Sequence, residues 1–109
     1  MKAIHLTAYG NPAQNLKVVE VREPNAPSVG EAVVRMEYAP IVSSDLLLAN
    51  GVYFLNPKLP SVIGGEGAGI VEAVGPGVTS VKVGDRRILH PNKSFAYRRR
   101  ARFRNFGHL

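Results

Sequence analysis

The stretch from Pro60 to Val78 constrains the fold of this chain most strongly. It reads Pro-Ser-Val-Ile-Gly-Gly-Glu-Gly-Ala-Gly-Ile-Val-Glu-Ala-Val-Gly-Pro-Gly-Val, a cluster of glycines followed by an apolar run that a Gly-Pro-Gly turn ends. Glycine beside or inside a strand usually marks a bend or a place where another backbone approaches closely. The stretch therefore predicts a strand over residues 68–75 inside a tightly packed sheet.

The same glycine cluster does not fit a phosphate-binding loop. A dinucleotide fingerprint needs G-x-G-x-x-G between a strand and a helix. Gly65 and Gly67 supply the first two glycines, but residue 70 is isoleucine, and the residues after it favour a strand. The sequence also lacks the Gly-Lys-Ser or Gly-Lys-Thr of a P-loop. Close backbone packing is the interpretation that the spacing favours.

Further short apolar runs, separated by Gly and Pro, predict more strands. They cover residues 2–7, 16–22 and 31–39, an extended segment over 78–83, and a strand that starts at Arg87. Residues 31–39 alternate apolar and mostly polar side chains, which is typical of a strand with one buried face. The apolar residues of 16–22 change phase midway, which predicts a bulge or burial on both faces.

One short helix is predicted over residues 43–50. Ser43 or Ser44 can accept a hydrogen bond from a free N–H at its start, and Asp45 lies in the first turn, where a negative charge is favourable. Asn50 and Gly51 supply a left-handed stop. Many short strands with one helix predict a mainly β fold, a small and partly open β-barrel.

Composition excludes several classes of protein. The 109 residues suffice for one domain. The absence of cysteine excludes a disulfide framework, a thiolate zinc site and a cysteine nucleophile. The first ten residues have too short an apolar run for a signal peptide, and no run approaches a membrane span. We expect a cytoplasmic protein without a membrane partner.

Charge is distributed unevenly along the chain. Residues 1–85 carry six Lys/Arg and eight Asp/Glu, a net charge of −2, whereas residues 86–109 carry eight Lys/Arg and no acidic residue, a net charge of +8. Basic runs of this kind are usually solvated tails. We therefore expect a domain over residues 1–97 and a disordered basic tail over residues 98–109.

The motifs together resemble a known family. The proline-led glycine cluster with Glu66, the apolar strand after it, and Gly84-Asp85-Arg86 are similar to the N-terminal, GroES-like domain of medium-chain dehydrogenases/reductases. The resemblance covers residues 1–86 and implies a partly open β-barrel that forms the substrate side of an oxidoreductase. The Gly-Asp-Arg turn itself predicts a structural role, because its aspartate can bond its own backbone.

Two positions inside that resemblance place the chain in a branch of the family. Zinc-binding members carry Cys and His ligands where this chain carries Val42 and Gly65, neither of which can coordinate a metal. The histidines, His5, His90 and His108, lie at no ligand spacing. The resemblance therefore implies the zinc-free quinone oxidoreductases and enoyl reductases, with no zinc. Zinc-free relatives commonly have Asn at the position of Val42, so the choice between quinone and enoyl substrates stays open.

The resemblance also implies the chemistry. Zinc-free members transfer hydride from NADPH to an activated double bond while the protein supplies a polar donor and a closed pocket. The candidate catalytic residues are Tyr53, Ser44 and Asp45, and Val42, Ser43 and Glu66 are expected to line the pocket. A tyrosine with a lowered pKa could protonate the carbon next to a thioester. Ordinary helix capping and loop packing are the alternatives for these residues.

Glu66 matches the glutamate beside the metal in zinc-binding relatives. If it is buried here, it needs another partner, for which Arg35 and Arg86 are the candidates.

The chain lacks a nucleotide-binding domain, which needs several βαβ units. NADPH would be bound mainly by that missing domain, so we expect a truncated or frameshifted fragment that is inactive alone. A homodimer is expected only of a full-length enzyme, and nucleic acid is not the expected partner of the domain. Two alternatives remain: the tail is a nucleic-acid arm, with five Arg interleaved with Phe103 and Phe106, or the chain is a free-standing GroES-like interaction module.

Overall fold

The computed structural model describes residues 1–89 and the backbone of 100–103, and it is mainly β, as predicted. The elements in chain order are β1 (Lys2–Leu6), α1 (Pro12–Asn15), β2 (Leu16–Glu20), β3 (Ala32–Tyr38), α2 (Ser43–Asn50), β4 (Ser61–Val62), β5 (Gly67–Val74), β6 (Arg86–Leu89) and β7 (Arg100–Phe103). Two sheets contain these strands, one with the order β2-β1-β4 and one with the order β6-β5-β3-β7.

The three-stranded sheet is regular, and this corrects the prediction made for β2. All five residues of β2 pair with β1 in one unbroken antiparallel register, so there is no bulge. Val18 is 69% exposed, so β2 is not buried on both faces either. An antiparallel sheet can keep one face in water, and single exposed apolar residues on such a face are common.

The four-stranded sheet contains the first of two hydrophobic clusters. Its members, which we call the sheet cluster, are Ala32, Val34, Val71, Val81 and Leu89, with Met36 and Val78 packed against them. The alternation predicted for β3 is confirmed only in part. Ala32 and Val34 are fully buried, but Val33 between them is buried as well, and Tyr38 at the end of the strand is exposed. Val81 joins this cluster from the segment over residues 78–83, which pairs with none of the described strands.

Glycine permits the close strand packing in this sheet, as the sequence predicted. A Cβ atom on Gly69 would overlap the carbonyl oxygen of Arg35 on β3 and lie 2.9 Å from Cγ1 of Val34. A Cβ on Gly75 would overlap the carbonyl oxygen of Ser28. Neither backbone position could hold a side chain unless its neighbour moved.

Strand β7 corrects the prediction of a disordered tail for four of its residues. The backbone of Arg100–Phe103 pairs antiparallel with β3, with Ala101 and Phe103 opposite the core residues Val34 and Ala32. Without β7, the backbone N–H and C=O groups on that side of β3 would have no hydrogen-bond partner on another strand in the described part of the chain. An unpaired strand edge of this kind favours the addition of a further strand. The rest of the predicted tail, residues 98–99 and 104–109, lies outside the described residues, as do His90 and His108.

The second hydrophobic cluster lies beside α2. This helix-side cluster consists of Leu6, Leu48, Ala49 and Ile63, with Tyr9, Leu16, Tyr53 and Leu59 packed against it. The predicted helix is confirmed over Ser43–Asn50, and Gly51 ends it in the left-handed region at φ 81°. The single-turn helix α1 was not predicted, because Asn11 and Pro12 are equally typical of turns. Here the Asn11 side chain accepts a hydrogen bond from the Ala13 N–H at 3.0 Å and caps that turn.

The Gly-Asp-Arg turn has the structural role predicted for it. The carboxylate of Asp85 accepts a hydrogen bond from the backbone N–H of Lys82 at 3.0 Å, and Gly84 has a φ of 95°. The turn leads directly into β6.

Candidate functional site

The start of α2 is organised by Asp45, and the serine hydroxyls do not cap it. Val42 is the N-cap residue and makes no side-chain cap hydrogen bond. The carboxylate of Asp45, which is buried, reaches back and accepts a hydrogen bond from the Val42 N–H at 3.2 Å. Ser43 is exposed, and Ser44 is half-buried. The predicted serine cap is therefore wrong, because the residue before Ser43 begins the helix and the third residue of the helix supplies the acceptor.

Two tyrosines pack against the helix-side cluster, and their hydroxyl groups differ. The Tyr9 hydroxyl donates a hydrogen bond to the carbonyl oxygen of Pro57, which joins the end of β1 to the loop after α2. Tyr53 is half-buried, with its ring centroid 4.4 Å from that of Phe54. Within residues 1–89, no side chain or backbone group holds the Tyr53 hydroxyl by a hydrogen bond. The Tyr9 hydroxyl thus links two segments of the chain, whereas the Tyr53 hydroxyl forms no such link within residues 1–89.

Glycines of the glycine cluster differ in backbone conformation and in the space around them. Gly64 is buried and has a φ of 104°, which favours glycine. Gly65 is half-buried, does not have a positive φ, and has no atom within 4 Å of a Cβ built on it. The interpretation of close backbone packing holds for Gly69 but not for Gly65, which borders open space.

The helix-side cluster brings most of the candidate residues to one region. Leu48 and Ala49 anchor α2, which begins with Ser44 and Asp45, and Ile63 anchors the segment that leads to Gly65. Tyr53 packs on the same cluster from the intervening loop. Three consecutive segments of residues 43–65 therefore contact one cluster, and the open space at Gly65 lies in the last of them.

Glu66 does not belong to a buried ion pair. Its side chain is exposed, so burial does not require a partner for it. The proposed partners are engaged elsewhere: Arg35 Nε lies 3.3 Å from the Glu72 carboxylate, and Arg86 lies 3.3 Å from the Glu37 carboxylate. The condition under which Glu66 would need a charged partner is therefore not met, because its side chain is exposed.

The residues at the family's metal position do not fit a zinc ion. The side chain of Val42 has no donor atom, and Gly65 has no side chain. Residues 1–89 also contain no group of three or more His, Cys, Asp or Glu side chains placed to hold a metal. The glycine cluster likewise does not fit a dinucleotide, since it leads into β5 and not into a helix N-terminus.

The helices are short. The longest in the described ranges has eight residues, and none is long and apolar enough to cross a membrane.

Comparison with known proteins identifies the family. The alcohol dehydrogenase GroES-like domain matches residues 28–106. The match continues past residue 86, where the resemblance was expected to end, and through β7. It therefore includes residues 98–106, most of the segment that the sequence predicted to be a disordered basic tail.

Relatives with several activities share this domain. The chain is 44% identical over 86 residues to an alcohol dehydrogenase of Geobacillus stearothermophilus, covering 79% of this chain and 24% of that protein. It is 44% identical over 84 residues to a mitochondrial enoyl-[acyl-carrier-protein] reductase of Bos taurus, covering 75% of this chain and 22% of that protein. The chain thus spans about a quarter of the length of the curated relatives it matches.

Solved structures show the same architecture. An Escherichia coli quinone oxidoreductase complexed with NADPH aligns with a TM-score of 0.84 and 32% identity, covering 94% of this chain and 30% of that one. A Pseudomonas syringae quinone oxidoreductase aligns with a TM-score of 0.83 and 38% identity, covering 94% of this chain and 31% of that one. Fold, motifs and sequence agree, and the chain belongs to the alcohol dehydrogenase GroES-like domain family of medium-chain oxidoreductases.

Proposed function

We propose that this chain is the substrate-side domain of a zinc-independent, NADPH-dependent reductase that acts on a quinone or an α,β-unsaturated carbonyl or thioester. One observation carries the proposal: the two positions at which zinc-binding relatives have ligands are Val42 and Gly65, which offer no donor atom. Alcohol dehydrogenases, quinone oxidoreductases and enoyl reductases all appear among the relatives. The chemistry of these two positions favours the reductases.

In this proposal a nicotinamide nucleotide held by a second domain supplies the hydride, and this chain orients the substrate and delivers the proton. Tyr53 is the proposed proton donor, because its hydroxyl has no hydrogen-bond partner within residues 1–89 and its ring is fixed against the helix-side cluster. Ser44, half-buried on the first turn of α2, is the proposed second polar contact for the substrate. Asp45 is a positioning residue, since its carboxylate holds the Val42 N–H.

A chimera tests the reaction and the substrate class. Residues 1–109 would replace the corresponding part of the E. coli quinone oxidoreductase, and NADPH oxidation would be followed with a quinone and with an enoyl thioester. Tyr53→Phe should lower kcat about 100-fold, since general acid catalysis typically contributes 10²–10⁴-fold. Tyr9→Phe is the matched control and should leave kcat within about twofold, because its hydroxyl is bound to Pro57. Equal kcat values for the two variants would remove Tyr53 from the mechanism.

Zinc independence and the inactivity of the isolated chain have direct tests. Elemental analysis of the purified chain should find far less than one zinc per molecule, and stoichiometric zinc would contradict the proposal. Titration with NADPH should show no saturation in the micromolar range. Micromolar binding would mean that this domain alone holds the cofactor.

The cytoplasmic location and a homodimer of the longer enzyme stay predictions. Cell fractionation and light scattering of a protein that contains both domains would test them. An independent nucleic-acid arm over residues 98–109 is a weaker second candidate, because four of those residues form β7.

A further inference from the structure

The C-terminal end of α2 contains a reactive pair of residues that the reductase function does not use. Asn50 is the last residue of the helix, and Gly51 follows it. Of the seven asparagines in the sequence, only Asn50 is followed by glycine. Its side chain is exposed and forms no hydrogen bond with the described part of the chain.

An asparagine followed by glycine can lose its side-chain amide without an enzyme. The backbone nitrogen of Gly51 attacks the side-chain carbonyl carbon of Asn50, and the new C–N bond closes a five-membered succinimide ring. The side-chain nitrogen leaves as ammonia, with the amide proton of Gly51. Water then opens the ring at either carbonyl and gives aspartate or isoaspartate. Glycine favours the attack, because it has no side chain beside the nitrogen.

Hydrogen bonds in the folded chain occupy the nitrogen that has to attack. The Gly51 N–H donates to the Leu48 carbonyl oxygen at 3.0 Å, and the Val52 N–H donates to the Leu47 carbonyl oxygen at 3.1 Å. The attack requires the Gly51 nitrogen to lose its proton and to reach the side chain of Asn50. The closed turn therefore protects Asn50, and the reaction has to start from an opened turn.

The segment that follows β1 holds the same turn closed. The Gly10 N–H donates to the Ala49 carbonyl oxygen at 2.9 Å. The Tyr9 side chain packs against Gly51, since a Cβ atom built on that glycine would lie 3.1 Å from Cβ of Tyr9. The Tyr9 hydroxyl donates to the carbonyl oxygen of Pro57 in the loop after the turn. Movement of the turn and this loop away from β1 has to break these contacts.

We propose that Asn50 is a site of spontaneous deamidation and that the C-terminal turn of α2 controls its rate. A helix end opens at a smaller free-energy cost than the whole domain, because fewer contacts are lost. When opening and closing are fast relative to the chemical step, the rate of a reaction that needs the open form follows the population of that form. Contacts made by Tyr9 and Gly10 therefore set how fast Asn50 is modified.

Either product changes the end of the helix. Aspartate places a negative charge at the C-terminal end of α2, where the helix dipole makes it unfavourable. Isoaspartate routes the backbone through the former side chain, which adds a carbon atom between residues 50 and 51 and displaces the hydrogen bonds of Gly51 and Val52. Tyr53 comes next in the chain, so the modification should also displace the proposed proton donor. Only this last consequence rests on the proposed function.

The test incubates the 109-residue chain at neutral pH for several weeks and measures the conversion of each asparagine by peptide mass spectrometry. Conversion at Asn50 should exceed that at Asn25, which is exposed and followed by alanine, about tenfold or more. Unfolding in urea should raise the rate at Asn50 about tenfold or more, because the turn is then open in every molecule. No conversion of Asn50 in the folded chain would overturn the proposal, and equal rates in the folded and unfolded chain would exclude control by the turn.

Point variants test whether the contacts of Tyr9 set the rate. Tyr9→Phe removes the hydrogen bond to Pro57 and should raise the rate at Asn50 about fivefold, the effect expected for one lost hydrogen bond. Tyr38→Phe is the matched control, since it alters an exposed tyrosine on β3 and should leave the rate unchanged. Equal acceleration by both variants, or by neither, would contradict the proposed control. Circular dichroism of each variant before incubation confirms that it is folded.

Discussion

The sheet cluster and the helix-side cluster are stabilised in different ways. In the sheet cluster, small and branched side chains fill the interior while β3 and β5 approach so closely that Gly69 cannot be replaced without overlap. The helix-side cluster is assembled from a helix, loops and single strand residues, and polar contacts at Asp45 and Tyr9 fix its parts. The sheet cluster therefore tolerates little change in its backbone, whereas the helix-side cluster depends on a few side-chain hydrogen bonds. The substrate site that we propose next to the helix-side cluster could therefore vary without a change in the sheet.

The largest expected effect breaks the sheet cluster. Gly69→Ala should destabilise the domain by about 3 kcal/mol, since the new Cβ overlaps the Arg35 carbonyl and must push β3 and β5 apart. Urea unfolding followed by circular dichroism measures the change. Gly65→Ala is the matched control from the same glycine cluster and should stay within about 0.5 kcal/mol of the parent, because nothing lies within 4 Å of its Cβ. Equal losses at the two glycines would contradict the comparison.

A smaller effect tests the anchor of α2. Asp45→Ala should destabilise the domain by about 1–2 kcal/mol, because the Val42 N–H loses its acceptor at the helix start. Ser43→Ala, on the same turn but exposed, should change stability by less than about 0.5 kcal/mol. Thermal unfolding of the two variants side by side decides whether the carboxylate or the serine caps the helix.

The tyrosine hydroxyls provide the next comparison. Tyr9→Phe should cost about 1 kcal/mol, since it leaves the Pro57 carbonyl without this donor. Tyr53→Phe should leave the free energy of unfolding within about 0.5 kcal/mol, because no hydrogen bond to its hydroxyl is present within residues 1–89. A destabilisation at Tyr53 as large as that at Tyr9 would give this hydroxyl a structural role and weaken its assignment as proton donor.

The smallest expected effect concerns the ion pair between Arg86 and Glu37 on the four-stranded sheet. Arg86→Ala removes an ion pair with Glu37 in which the arginine side chain is 70% exposed, and it should change stability by no more than about 0.5 kcal/mol. A loss above about 1 kcal/mol in urea unfolding would show that this ion pair helps to stabilise the four-stranded sheet.

Local sequence chemistry determined much of this protein. Alternation in residues 31–39 predicted a strand with a buried face, and the residues from Ser43 to Gly51 predicted the helix and its stop, because these signals act within one or two turns of chain. The sequence alone also shows that the side chains at positions 42 and 65 cannot bind zinc, since Val42 and Gly65 have no side-chain donor atom and this holds in any fold.

Only the tertiary structure determined the features that depend on contacts between residues far apart in sequence. It distinguished Gly69, which lies against the Arg35 carbonyl, from Gly65, which borders open space, although the two occupy one glycine cluster in the sequence. In the folded chain Glu66 is exposed, and the candidate partners Arg35 and Arg86 are paired with other glutamates. The tertiary structure also placed Arg100–Phe103 beside β3, where a basic tail had been predicted. In each case the outcome depends on which other segment of the backbone lies next to the residue. The fold as a whole determines which strands pair when they are far apart in sequence.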